Sequence, residues 1–472
     1  MPSSDAPSPP MENGSSHPAT KSRSLSDPSS IYEGLELNDV LKQTRIFTLE
    51  PGAWKDPIRC TLVVVSLLKL TVYEAISYAW GETAGESDRP SKETILVNEK
   101  EFEISANLAS ALRHLRVSHT GSPLWADAIS HNQSNNTEMN KQVGLMRMIY
   151  QKCAAVRIWL GKESPLTHQA ARPPPDDESP RCVWNYYNSS SSDRKRSLDR
   201  SDDEDEQDTK RVKLFNRHFY DFYNLPKALQ HNGTQDFRMG LFCFLCVLAR
   251  DDHLNSKDLP FLDNLSCRDG IFAALKEMMQ RQWWSRQWVI QETVLAKVAT
   301  VHYGRFMIPW DMFTMALKTY EVHRKKICCT THYAKLRTSD TDILKHFARK
   351  VGDIDTWRTI WPQQPTARIE LLPLLWQFRQ RQTGRLPDKI YALLPLANDW
   401  GQEQALEVHY EWDPAHIYTD LVHLLVDVHN SLLPLMGTTK KSEMLPQLPS
   451  WAPDWNAPPD PYELARLERT LL

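Results

Sequence analysis

Glycine is scarce in this chain, 16 among 472 residues. Loops that cradle phosphate need glycines at fixed spacing so that the backbone can approach the anion. Neither a Walker loop nor Gly-x-Gly-x-x-Gly occurs, and His-Glu-x-x-His and the nucleophile elbow are also missing. Those absences remove most standard nucleotide-dependent enzymes. Charge of one sign is lacking too: 56 Lys and Arg against 59 Asp and Glu leave a net charge of -3. No global field therefore recruits nucleic acid or a membrane surface. The apolar run 241–249 is too short to span a bilayer, and the first residues contain no apolar signal region. A cytoplasmic chain is expected, with nuclear entry left open by the basic clusters 194–196 and 210–213. The eight cysteines are scattered, as reduced thiols are. Cys243 and Cys246 have zinc-ligand spacing but sit in an apolar run with no second pair, so packing is the better reading. No metal or resident cofactor is indicated.

What is present centres on residues 124–161. Residues 124–129 form a short apolar run broken by Asp127, which reads as a buried strand. Asn135 with Glu138 has the spacing of a capping box, so a helix should start there. Met139, Val143, Met146, Ile149 and Tyr150 then mark one apolar helix face, and 155–160 reads as the next strand, stopped by Gly161. This is a βαβ pattern and implies a parallel sheet.

Upstream, residues 1–35 are rich in Ser and Pro and should lack structure. Residues 46–49, 60–68 and 73–80 read as strands, and 95–97 with 102–104 as a hairpin. Asn107 is placed to cap a helix whose face is Leu108, Leu112, Leu115 and Val117. Downstream, prolines 173–175, serines 189–192 and an acidic run at 202–206 predict a disordered insertion over about 165–212. Helical patterns return at 237–248 and around Ile271 to Met279, and 300–304 reads as a strand. The boundaries expected are thus 36–305 for an α/β domain and 306–472 for a mainly helical region.

Three ordered blocks also resemble a known family. They are Tyr73-Glu74-Ala75-Ile76-Ser77-Tyr78-Ala79-Trp80-Gly81, then Asp127-Ala128-Ile129 through Gly161, then Trp284-Ser285-Arg286-Gln287-Trp288-Val289-Ile290-Gln291-Glu292. Together they resemble the heterokaryon-incompatibility (HET) domain of filamentous fungi. The usual central block has Cys-Ile where this chain has Ser130-His131. Residues 385–394, 409–412, 417–420 and 448–455 resemble segments that commonly follow that domain. The resemblance implies non-self recognition and regulated cell death, with protein partners or self-association through the domain.

HET domains are in turn similar to the TIR domain, a flavodoxin-like α/β module. Residues 73–78 are similar to its first strand, and Trp288 with Glu292 to a helix in which a Trp precedes a Glu by four. The resemblance implies a TIR-like parallel sheet flanked by helices, and NAD as a substrate cleaved at its nicotinamide–ribose bond. Glu292 would be the catalytic carboxylate, with Ser77, Trp80, Gly81, Asp127 and Trp288 around the pocket. Breaking a glycosidic C–N bond builds positive charge on the ribose, which a carboxylate stabilises. Other readings stand beside each. Glu292 could be an exposed helix carboxylate, or pair with Arg286 or Lys297; the tryptophans could be ordinary core, and Asp127 a cap. Ser130 and His131, adjacent in an extended segment, point apart and do not make a nucleophile pair. The position of Glu292 separates an enzyme from a non-catalytic scaffold.

Overall fold

In the computed structural model, the β-branched run at Val63–Val65 lies in strand β2 (Arg59–Ser66), antiparallel to β1 (Gln43–Leu49). The structure describes residues 28–80, 92–117, 119–162, 181–182, 237–249, 265–304, 306–326, 329, 333–363, 368–399, 406–436 and 445–458. After β3 (Glu74–Tyr78) come β4 (Lys92–Val97) and β5 (Lys100–Ser105), the expected hairpin. Its turn residues Asn98 and Glu99 take φ of 49° and 62°, the left-handed conformation that a tight hairpin turn needs. Helix α1 (Ala106–Leu115) is capped by Ser105 rather than Asn107. Asn107 instead donates to the Ala79 carbonyl at 2.7 Å and accepts from the Trp159 indole at 2.9 Å. Leu108 and Leu112 are buried as expected, whereas Val117 lies beyond the helix and is exposed.

Strand β6 (Ser122–Trp125) is shorter than the sequence suggests, because Asp127–Ser130 winds into a helical turn, α2. The Asp127 carboxylate accepts the Ala128 N–H at 2.8 Å, and that local bond competes with the extended chain. Helix α3 (Asn136–Lys152) starts at Asn135, whose side chain takes the Glu138 N–H, and leads to β7 (Val156–Trp159). The reciprocal half of the capping box is absent, since Glu138 turns to Arg45 and to the Asn132 N–H. Then follow β8 (Arg181–Cys182), α4 (Phe237–Ala249), α5 (Leu265–Gln280), α6 (Val289–Leu295), β9 (Ala299–Tyr303) and β10 (Phe306–Pro309). Helices α7 (Trp310–His323), α8 (Thr338–Ile360), α9 (Leu371–Phe378), α10 (Asp388–Tyr391) and α11 (Pro414–His429) complete the chain. The expected disorder is corrected at two places: Arg181–Cys182 is a strand, and Pro28–Tyr32 is a 3-10 turn with Ile31 and Tyr32 buried. Residues 33–35 are described as well; residues 1–27, the rest of 165–212 and Gly81 lie outside the described residues.

The sheet has the order β5-β4-β2-β1-β6-β3-β7-β9-β10-β8. It is mixed, where a TIR-like parallel sheet was expected: besides the expected β4/β5 hairpin, β1/β2 and β9/β10 are antiparallel. The four central strands β6, β3, β7 and β9 are parallel. Numbered among themselves by chain order, they run 2-1-3-4. Alternation divides β3 between two cores: Ile76 and Tyr78 join the smaller one with α1, while Ala75 joins the larger. That larger core continues without a break from Ile46 to Trp455, so the helices after residue 306 pack into it. Among the described residues, no helix is long and apolar enough to cross a membrane.

Helix α6 buries two polar side chains without hydrogen-bond partners among the described residues, Gln291 and Thr293. Gln291 is fully buried, and neither amide atom has a partner among the described residues. Leaving such a group unpaired costs about 1–3 kcal/mol. Gln291→Leu is therefore expected to raise stability by about 1–2 kcal/mol in urea titration. An unchanged midpoint would mean that water already satisfies the amide.

Candidate active site

Ser77 lies on the same face of β3 as Ala75, two residues on, and α6 packs against that strand. Its hydroxyl is the polar group on an otherwise apolar face, and it is buried. It donates to Glu292 Oε2 and accepts the Trp283 indole N–H at 2.8 Å. Arg286 donates to the Tyr78 carbonyl, which binds the segment before α6 to the carboxyl end of β3. On the neighbouring strand, Asp127 follows the end of β6. It accepts the Tyr78 hydroxyl and the Trp80 indole N–H, each at 2.9 Å. Asp127 is thus not the cap of its turn, which is Ala126; its carboxylate bonds the next N–H and joins two strand ends.

These residues open onto a cavity of about 460 Å³. Trp80, Asp127, Arg286, Trp288 and Glu292 line one part of it, and Met139, Val143 and Met146 of α3 line another. The remaining wall comes from 382–385, Asp388 and Tyr410. Tyr410 donates to Asp388 Oδ1 at 2.6 Å, and the Trp288 side chain makes a second hydrogen bond to the same carboxylate. Gln382 exchanges backbone bonds with Ser285 and Gln287 at 2.6 and 2.9 Å, so that wall is fixed to the segment bearing Trp288.

Residues 73–221 match the model of the family described as heterokaryon incompatibility protein (HET). Over that stretch the chain is similar to HET domains. Heterokaryon incompatibility protein 6, OR allele, of Neurospora crassa is 31% identical over 143 residues. That match covers 28% of this chain and 20% of the relative, so the two share one segment and not their whole length. No solved structure matches the chain.

The HET domain match supplies Ser77, Trp80 and Asp127, while Arg286, Trp288 and Glu292 come from beyond residue 221. The fold brings these distant blocks together. Glu292 is 4% exposed, not on an open helix face, and Arg286 acts on it as a nearby charge. Burial pushes its carboxyl up to about 7, against the opposing pull of Arg286 and the Ser77 hydrogen bond. Ser130 and His131 do not form a nucleophile pair: Ser130 Oγ accepts from the Ala126 N–H at 3.4 Å. Asp388, Tyr410 and the 382–385 loop were not singled out as site residues. Their signal was present, since 385–394 and 409–412 were two of the blocks resembling segments that follow HET domains.

The raised Glu292 carboxyl has a stability consequence. The folded state holds this proton more tightly than the unfolded chain, so the stabilisation is complete below about 4.5 and lost as pH rises through about 7. The full loss is on the order of 3 kcal/mol. Urea midpoints at pH 5 and pH 8 should differ more for the wild type than for Glu292→Gln. Equal pH dependence in the two proteins would show that Glu292 is not buried.

Proposed function

We propose that this chain acts in heterokaryon incompatibility as a TIR-like enzyme, cleaving the nicotinamide–ribose bond of NAD in a step that leads to regulated cell death. The observation that carries this reading is the buried Glu292, which lines a cavity at the carboxyl ends of β3 and β6. Open parallel sheets bind ligands there, and the 2-1-3-4 order of the central strands is that of flavodoxin-like sheets. The expected parallel core therefore survives inside the mixed sheet.

In the proposed step the C–N bond breaks and its electron pair leaves with the ring nitrogen, giving neutral nicotinamide. Water adds to the ribose carbon and releases a proton. Glu292, ionised above its raised pKa, offsets the positive charge developing on the ribose and orients the water. Ser77 holds that carboxylate, and Trp80 and Trp288 offer ring faces to the ligand. Incubating purified protein with NAD and measuring nicotinamide and ADP-ribose tests this directly. No release over the uncatalysed rate, with NAD bound or unbound, would sink it.

A scaffold acting by association has its own support. Leu68, Leu70 and Val72 between β2 and β3 are 58%, 100% and 70% exposed, an apolar stretch suited to a protein partner or a second copy. In that reading Glu292→Gln leaves cell death intact, and charged residues at 70 and 72 abolish it.

A further inference from the structure

His131 stands where the usual HET block has isoleucine, and it lines the cavity beside Met139, Val143 and Met146. Its ring is 2% exposed and meets Trp125 edge-on at 5.2 Å. Nε2 is buried with no hydrogen-bond partner among the described residues. The backbone around it is fixed, since the Tyr32 hydroxyl donates to the His131 carbonyl at 2.7 Å and the His131 N–H to the Asp127 carbonyl at 3.1 Å. Burial pushes the imidazole down to about 4, so it is neutral at physiological pH. An unpartnered polar atom in an apolar wall is destabilising in the empty protein, and a ligand is the natural source of the missing bond.

We propose that His131 and the three apolar side chains of α3 form the subsite for the leaving ring, with His131 Nε2 hydrogen-bonded to a carboxamide on a planar nitrogen heterocycle. This deepens, and rests on, the NAD-cleaving reading. The flat ring packs against methionine sulfur and valine, which accept aromatic surfaces without a fixed geometry. A neutral imidazole nitrogen is a donor in one tautomer and an acceptor in the other. A carboxamide offers both an N–H and a C=O, so it pairs with either tautomer, where a simple ketone, which only accepts, would not.

The test is equilibrium binding to Glu292→Gln protein, which holds NAD without consuming it. His131→Phe keeps the ring and its contact with Trp125 but removes the nitrogens. Its Kd for NAD should rise about tenfold, while ADP-ribose, which lacks the nicotinamide, binds within about twofold of the parent. His131→Gln, which retains a polar group, should recover part of the loss. Unchanged NAD affinity, or equal weakening of NAD and ADP-ribose, would overturn the proposal, as would a failure of NAD to bind at all. If NAD binds in a His131-dependent way but the wild type releases no nicotinamide, the subsite stands and the enzyme reading falls.

Discussion

Glu292→Gln is expected to slow nicotinamide release by about a thousandfold or more, with KM for NAD little changed. The amide keeps the shape of the side chain and can still accept the Ser77 hydroxyl bond, so the pocket stays intact. Only the charge is removed. Because burial raises the Glu292 carboxyl to about 7, the wild-type rate should climb as pH passes through that value and then level off. Ser77→Ala removes a bond that lowers this pKa, so the rise should move to higher pH without a large change in the plateau. Glu292→Gln should also melt no lower than wild type above pH 7, since it loses a buried charge rather than a packing group. A Glu292→Gln enzyme that keeps more than about a tenth of wild-type turnover would exclude the carboxylate from the chemistry.

The parts of this site that were legible in the sequence are those where local pattern and function coincide. Alternation in 73–78 places Ser77 on the α6 face, and the four-residue spacing from Trp288 to Glu292 puts both residues on the cavity. The helix face of α3 was legible for the same reason, since Val143, Met146 and Ile149 recur at helical spacing and are all buried. What was not legible depends on tertiary choice. Asp127 looked like the end of a strand, but its own carboxylate bonds the next N–H and turns the chain into α2. Asn107 has good capping chemistry, yet Ser105 is the cap because Asn107 is needed between Ala79 and Trp159. The β4/β5 hairpin was legible, but the antiparallel β1/β6 pairing was not, because it joins strands far apart in the chain. Arg381 and Lys389, which flank the 382–385 loop and Asp388 in the chain, bury their cations against main-chain carbonyls: Arg381 on Trp284 at 3.0 Å and Lys389 on Arg379 at 2.8 Å. A charged residue with a main-chain partner leaves no pairing pattern to read.

Arg45 is the group whose loss should cost the fold most among its polar contacts. Its side chain is 2% exposed and holds Glu138 with two bonds, at 2.6 and 3.1 Å. It also donates to the carbonyls of Leu35 at 2.8 Å and Ser130 at 3.3 Å, and lies over the Tyr32 ring at 4.6 Å. One guanidinium thus joins the N-terminal segment, the end of α2 and the first turn of α3. Arg45→Met leaves Glu138 as a part-buried carboxylate with only the Asn132 N–H, and should cost about 3–5 kcal/mol in urea titration. The loss belongs to the stranded charge more than to the missing attraction. Arg45→Met combined with Glu138→Leu should therefore recover most of it, because a pair replaced on both sides leaves no buried ion. Full recovery is not expected, since the Asn132 N–H then lacks its acceptor. Ser130 and the Tyr32–His131 contact lie in the same network, so the single variant should also weaken NAD binding while the double variant restores it in part. A single-variant loss below about 1 kcal/mol would place Arg45 with surface ion pairs and remove this link between the N-terminal segment and the cavity.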